Sequence, residues 1–211
     1  MKKNCIIIGA GSVGGFVVHN FEPLSDEYEL IGFLDDDEQK LNKLIFGKKV
    51  LGKISEINKY LDCHFILGIA FPKIKDNIIR NILHLNPTFL TYISPEAWIS
   101  NSVSIGEGVI IYPGATINYE TVVGNFVTIN MNCTVGHNCI LSDFTTLAPS
   151  VSLAGHTNCE KGVDMGIGSS TRQNARIGEF AIVGGQAMVI NDIEKNSVVG
   201  GIPAKTLKCN K

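Results

Sequence analysis

Two histidines, His137 in VGHNC and His156 in AGHTNC, carry the side chain best suited to moving a proton near neutral pH. An imidazole can take a proton from an amine or hydroxyl while that group attacks a thioester carbonyl. Gly155 stands eighteen residues beyond His137, and His156 stands eighteen beyond Asn138. A glycine N–H beside the base can meet the oxyanion that develops during acyl transfer. Asn138 can orient the ring, although an amide stabilises an imidazolium less than a carboxylate would. His137, Asn138 and Gly155 are therefore the expected catalytic set, with His156 next to them. The competing reading makes both histidines ordinary surface residues of turns.

A second group lies near the start. GAGSVG places Gly9, Gly11 and Gly14 in GxGxxG spacing between an apolar strand and a helix, with Asp35 about twenty residues further on. Glycines let a backbone approach a diphosphate, and the free N–H groups of a helix start face it. Gly9, Gly11, Ser12 and Val13 are the expected cradle, with Asp35 and Asp36 as acceptors for hydroxyl, amine or base N–H groups. The unit stops after one half of a dinucleotide-binding fold, which argues for a nucleotide diphosphate rather than NAD. A tight turn followed by a solvated acidic loop is the plain alternative.

The residues between these groups explain the eighteen-residue spacing. From Ile93 to Val189 every sixth residue is apolar except Thr171, and a second series four residues later, from Ala97 to Ala187, is small or β-branched. Neither a helix nor a single strand yields a sustained beat of six, whereas a hexapeptide β-helix does. Three hexapeptides make one triangular coil, so residues eighteen apart are stacked neighbours at the ~4.8 Å spacing of paired strands. Five to six coils are expected. Cys133, Cys139 and Cys159 fall on these inward series and read as small core hydrophobes.

The first 90 residues behave differently. KNCIIIGAGSVGGFVVHNF reads as strand, glycine turn and helix; YELIGFLDDD and HFILGIAF are further strands; a helix begins near Pro72. This is an α/β βαβαβ unit with a parallel sheet, half a Rossmann domain. The expected division is 1–90 for this nucleotide-sugar-binding unit, 91–194 for the β-helix, and 195–211 for a segment that caps the last coil and ends, past about Thr206, in a loose tail. The N-terminal unit is expected to cover the other end.

The formal net charge of −2 gives no general pull toward nucleic acid or an anionic membrane. The opening apolar run is too short for a secretion signal, and no stretch reaches the ~18 apolar residues of a membrane span. Six cysteines without a CxxC pair suit a reducing, cytoplasmic setting, and no metal site is expected. A β-helical metal enzyme of the carbonic-anhydrase kind needs three histidine ligands, and the coils hold two.

A half-Rossmann unit followed by an unbroken hexapeptide solenoid, with GAGSVG, FLDDD, VGHNC, LAGHT and GGIPAK, resembles the NeuD/PglD-type sugar acyltransferases over nearly the whole chain. The resemblance implies a left-handed β-helix, a homotrimer with its active site between subunits, and acetyl-CoA lying along the coils. It implies His137 as the base, Gly155 as the amide facing the thioester oxygen, and Thr146, His156, Ile167, Gly185 and Lys205 near acetyl-CoA. Three positions depart from the family pattern: Asn138 stands where an acid is usual, Val13 where a histidine often meets the sugar nucleotide, and Ala70, with Lys75 shortly after, where a glycine contacts substrate. The expected activity is acetyl transfer to a nucleotide-linked amino sugar of the UDP- or dTDP-4-amino-dideoxy type for surface glycan synthesis. O-acetylation of a sialic-acid-like sugar and a non-enzymatic assembly platform are the alternatives.

Overall fold

From Gly108 to Gln186 every sixth residue has a positive φ, between 52° and 71°. These left-handed residues turn the corners of a triangular solenoid in the computed structural model of the protein, which describes residues 2–209. Between the corners run seventeen two-residue strands, from Tyr92–Ile93 to Met188–Val189. They stack into three parallel sheets in which each residue pairs with the one eighteen further on, as Thr116 pairs with Thr134 and Thr134 with Ser152. The solenoid is a left-handed parallel β-helix.

Its core is the two inward series. Ile111, Ile117, Ile129, Leu141, Leu147, Cys159, Met165, Ile177 and Val183 are fully buried, as are Val109, Cys133, Cys139 and Val163 of the second series. The first coil is looser, with Ile93 at 37% exposure. Thr171, the polar exception in the first series, satisfies its hydroxyl inside: it lies 2.8 Å from the Thr157 hydroxyl and accepts the Ala154 N–H at 3.1 Å. Burial pushes the thiol of Cys133 up to about 11 and raises those of Cys139 and Cys159, so these cysteines stay protonated packing groups.

Contacts divide the chain into two units, Met1–Ala70 with Ile74–Tyr92, and Phe71–Lys73 with Ile93–Lys211. The first is built on a six-stranded sheet of β1 (Lys3–Ile8), β2 (Tyr28–Leu34), β3 (Leu44–Ile45), β4 (Lys48–Gly52), β5 (His64–Leu67) and β6 (Thr88–Phe89), in the order β3-β4-β2-β1-β5-β6. Helix α1 (Ser12–His19) links β1 to β2, and α2 (Pro72–Ile82) links β5 to β6. Between β2 and β5 the sequence suggested no element. The chain there forms the antiparallel β3–β4 hairpin and a 3-10 turn over Ile54–Tyr60. Phe46 and Gly47 both have positive φ, the two-residue loop that suits the twist of paired strands.

At the other end, residues past Thr206, expected to be a loose tail, are strand as far as Cys209. Ser197–Gly200 adds in parallel to Ile182–Val183, and Lys205–Cys209 pairs antiparallel with Ser197–Gly200. The polar stretch that ends the six-residue beat shortens the last turn, so Val198 pairs with Ile182 after sixteen residues instead of eighteen. A hairpin thereby occupies the edge that an extra coil would have continued.

Candidate active site

His137 and Asn138 occupy the corner between strands Thr134–Val135 and Ile140–Leu141. Asn138 is the left-handed residue of that corner, with φ 56°, a conformation that asparagine tolerates better than most side chains. Its Oδ1 lies 2.9 Å from Nδ1 of His137. An amide oxygen only accepts, so Nδ1 is the donor in this contact, and in the neutral tautomer that it selects the lone pair lies on Nε2. Among the described residues, no hydrogen bond engages Nε2.

One coil on, the His156 N–H donates to the His137 carbonyl at 2.9 Å, which fixes the register of the two corners. Gly155 lies directly beneath the imidazole: a Cβ placed there would sit 2.7 Å from Nε2 and 2.9 Å from Cε1. The Gly155 N–H has no acceptor among the described residues, while its carbonyl accepts from the Asn174 N–H at 3.0 Å. The His156 ring meets that of His137 edge-on, with centroids 5.0 Å apart. One coil back, Tyr119 stacks face to face on His137, with centroids 5.2 Å apart and planes within 9°. The expected group of His137, Asn138, Gly155 and His156 is thus brought together. Tyr119 was missed, although it stands eighteen residues before His137 and the same register arithmetic finds it.

The corner is gripped from within the core. Thr121, fully buried, donates its hydroxyl to the Gly136 carbonyl at 2.9 Å and accepts the Cys139 N–H at 3.2 Å, so one side chain ties both ends of the turn that carries His137. In the next coil the Thr157 hydroxyl donates to the Ala154 carbonyl at 2.7 Å. Thr121→Val is expected to leave a partly buried carbonyl and a buried N–H without that partner, at a cost of about 1–3 kcal/mol. Thermal denaturation should show a midpoint several degrees lower.

The glycine loop in the other unit is shaped by close approach. Gly9 has φ 99°, and a Cβ on Gly14 would lie 2.2 Å from the Gly9 carbonyl, so α1 can start against the end of β1 only with glycine there. Gly11, the N-cap of α1, is exposed and a Cβ on it would meet nothing, so the protein itself does not require glycine at that position. Ser12 is exposed, whereas the Val13 side chain is buried. Asp35 is buried and turned toward its own chain: Oδ2 accepts the Ala10 N–H at 2.7 Å and Lys40 Nζ at 3.3 Å, and Oδ1 accepts the Asp37 N–H at 2.8 Å. Asp36 accepts the Ile54 N–H at 2.9 Å. Both aspartates thus hold loop backbone, a role the spacing did not reveal. The loop after β5 abuts the glycines, with Ile69 2.4 Å from where a Gly9 Cβ would stand; Ala70 is half-buried there. Lys75 is 1% exposed, and a buried ammonium must be paired inside the fold.

The residues expected near acetyl-CoA separate into two places. Ile167, 56% exposed, and Gly185 are stacked neighbours, with the Gln186 N–H donating to the Ile167 carbonyl at 2.8 Å. They belong to the corner after the eight-stranded sheet in which Thr146 is a buried member. That corner and the His137 corner are the two edges of the solenoid face that carries Thr116–Ile117, Thr134–Val135 and Ser152–Leu153. Within one chain, His156 alone of the set adjoins the base. Lys205 is exposed on the final strand.

Residues 4–82 match the family model of the PglD N-terminal domain. The match spans most of the N-terminal unit and none of the coils. No curated protein matches the chain. Solved structures do, along the N-terminal unit and the coils together. The acetyltransferase domain of PglB from Neisseria gonorrhoeae is 28% identical with a TM-score of 0.89, covering 98% of this chain and 100% of that one. A variant of perosamine N-acetyltransferase from Caulobacter crescentus, in complex with CoA and GDP-perosamine, shares the fold at 24% identity and a TM-score of 0.90, covering 97% of each chain. WeeI from Acinetobacter baumannii shares it at 24% and 0.88, covering 98% of this chain and 100% of that one. The likeness to the gonococcal acetyltransferase domain extends along nearly the whole chain. No helix among the described residues is long and apolar enough to cross a membrane.

Proposed function

We propose that the protein is an acetyl-CoA-dependent N-acetyltransferase acting on a nucleotide-linked amino sugar, with His137 as general base. The observation that carries this reading is the His137 corner itself. Asn138 Oδ1 accepts from Nδ1, Nε2 is left over Gly155, and the Gly155 N–H has no acceptor among the described residues. The acceptor nitrogen forms the new C–N bond to the thioester carbon while its proton passes to Nε2. The carbonyl oxygen, briefly an oxyanion, meets the Gly155 N–H. As the C=O bond re-forms, the C–S bond breaks, and the sulfur leaves with the electron pair and takes the proton back from Nε2.

The acceptor class is supported by the PglD N-terminal domain, whose glycine loop exposes Gly11 and Ser12 at a helix start suited to a diphosphate. It is supported too by the Caulobacter structure, solved with CoA and a nucleotide-linked amino sugar, and by the gonococcal domain, of which an acetyl coenzyme A complex exists. A UDP- or dTDP-4-amino-dideoxy sugar for surface glycan synthesis fits this reading. A homotrimer fits as well. Thr146, Ile167 and Gly185 line an edge away from the base of their own chain, and a thioester along that edge reaches a histidine when the base comes from a neighbouring subunit. The five cysteines described with their side chains are buried and unpaired, which agrees with a reducing cytoplasm.

Release of free thiol from acetyl-CoA, followed with a panel of nucleotide-linked amino sugars and a sialic-acid-like acceptor, tests the proposal. Turnover with an amino sugar is expected. Turnover with the hydroxyl acceptor alone would replace it by O-acetylation, and a protein that neither turns over nor binds coenzyme A is an assembly platform.

A further inference from the structure

The base has an amide for its immediate neighbour, and an amide carries no charge to balance an imidazolium. Among the described residues, three side chains bond to or stack on the His137 ring: Asn138 at Nδ1, His156 edge-on, and Tyr119 flat against it. Among the described residues, none of the ion pairs involves His137. His156 cannot supply the balance, because a second imidazole is neutral or of the same sign. We propose that Tyr119 takes the place of the missing carboxylate, its π face stabilising the imidazolium that forms as His137 accepts the proton. This rests on the reading of His137 as the base.

The geometry suits the role. A cation is attracted to the face of an aromatic ring within about 6 Å of its centroid, and the two centroids here are 5.2 Å apart with nearly parallel planes. The main chain maintains the stack. Tyr119 and His137 are one coil apart, and the Asn138 N–H donates to the Tyr119 carbonyl at 3.0 Å. The same hydrogen bond ties the amide that orients His137 to the residue that lies on its face. Tyr119 is 47% exposed, so it does not fill the core and can be changed without opening a cavity.

The test compares Tyr119→Leu and Tyr119→Phe across a pH series, with thermal denaturation to show that each variant is folded. Leucine fills space but offers no π face. It should lower kcat roughly 3- to 30-fold, the range expected for a cation–π contact. An imidazolium that has lost a stabilising partner gives up its proton more readily, so the acid limb of the kcat profile should move to lower pH. Phenylalanine should keep most of the rate and leave that limb in place. Asn138→Asp should move the limb to higher pH, and in its presence Tyr119→Leu should cost less than it does alone. An acid limb unmoved by Tyr119→Leu, or Phe behaving like Leu, would overturn the proposal and leave Tyr119 as packing or its hydroxyl as the active part. Full turnover in His137→Ala would instead remove the reading on which the proposal stands, so the two failures are separable.

Discussion

His137→Ala is expected to lower kcat/KM by about 10²–10⁴, the range that a positioned general base contributes. On the proposed mechanism the loss should fall mainly on kcat, because the imidazole acts on the proton during bond formation, and the substitution leaves the glycine loop and the other coil corners as they are. Stability should change little. The ring is half-buried at a corner, and the turn beneath it is held by Thr121 through main-chain atoms that alanine retains. Steady-state kinetics of purified variant and wild type, with a denaturation curve for each, checks both parts. Undiminished turnover would move the base elsewhere and dismiss the corner as an ordinary turn.

Gly155→Ala should come second in effect, at about 10²-fold in kcat/KM. The physical reason is steric. Residue 155 has none of the positive φ that would bar alanine, so the backbone accepts the substitution, and the added methyl falls 2.7 Å from Nε2, 2.9 Å from Cε1 and 3.2 Å from Cδ2. A side-chain ring at a partly open corner can swing away, so folding loses little. The site loses more, because an imidazole displaced by about 1 Å no longer meets its reacting partner, and errors of that size cost on the order of 10² in rate. A variant as stable as wild type and as active as wild type would show that the ring does not act from its place over Gly155. Kinetics with a melting curve separates the cases.

Much of this corner was legible before any coordinates. The beat of six forces a coil of eighteen, and a coil of eighteen makes Gly155 the neighbour of His137 and His156 the neighbour of Asn138. Tyr119 obeys the same rule one coil earlier, but a tyrosine in a turn carries no signal of its own for proton transfer. The glycine loop was legible as a strand-to-helix turn, since Gly9 and Gly14 answer to steric demands that spacing reports. Asp35 and Asp36 were less legible. An acid twenty residues after a glycine loop has the same position whether it faces a ligand or the backbone, and here the Ala10, Asp37 and Ile54 N–H groups take the carboxylates.

The β3–β4 hairpin and the final antiparallel pair also escaped notice. Short strands of mixed polarity carry no period long enough to stand out, and their pairing is decided by the sheet edge that receives them. By itself the order of residues determined the solenoid, its register and hence which residues are neighbours along each corner, because main-chain hydrogen bonding repeats with the chain. Only the tertiary structure decided which way the neighbours point. It turned Asn138 Oδ1 to Nδ1, laid Tyr119 flat on the imidazole and buried Lys75, since a rotamer answers to packing from every side and no linear pattern encodes all of those sides at once.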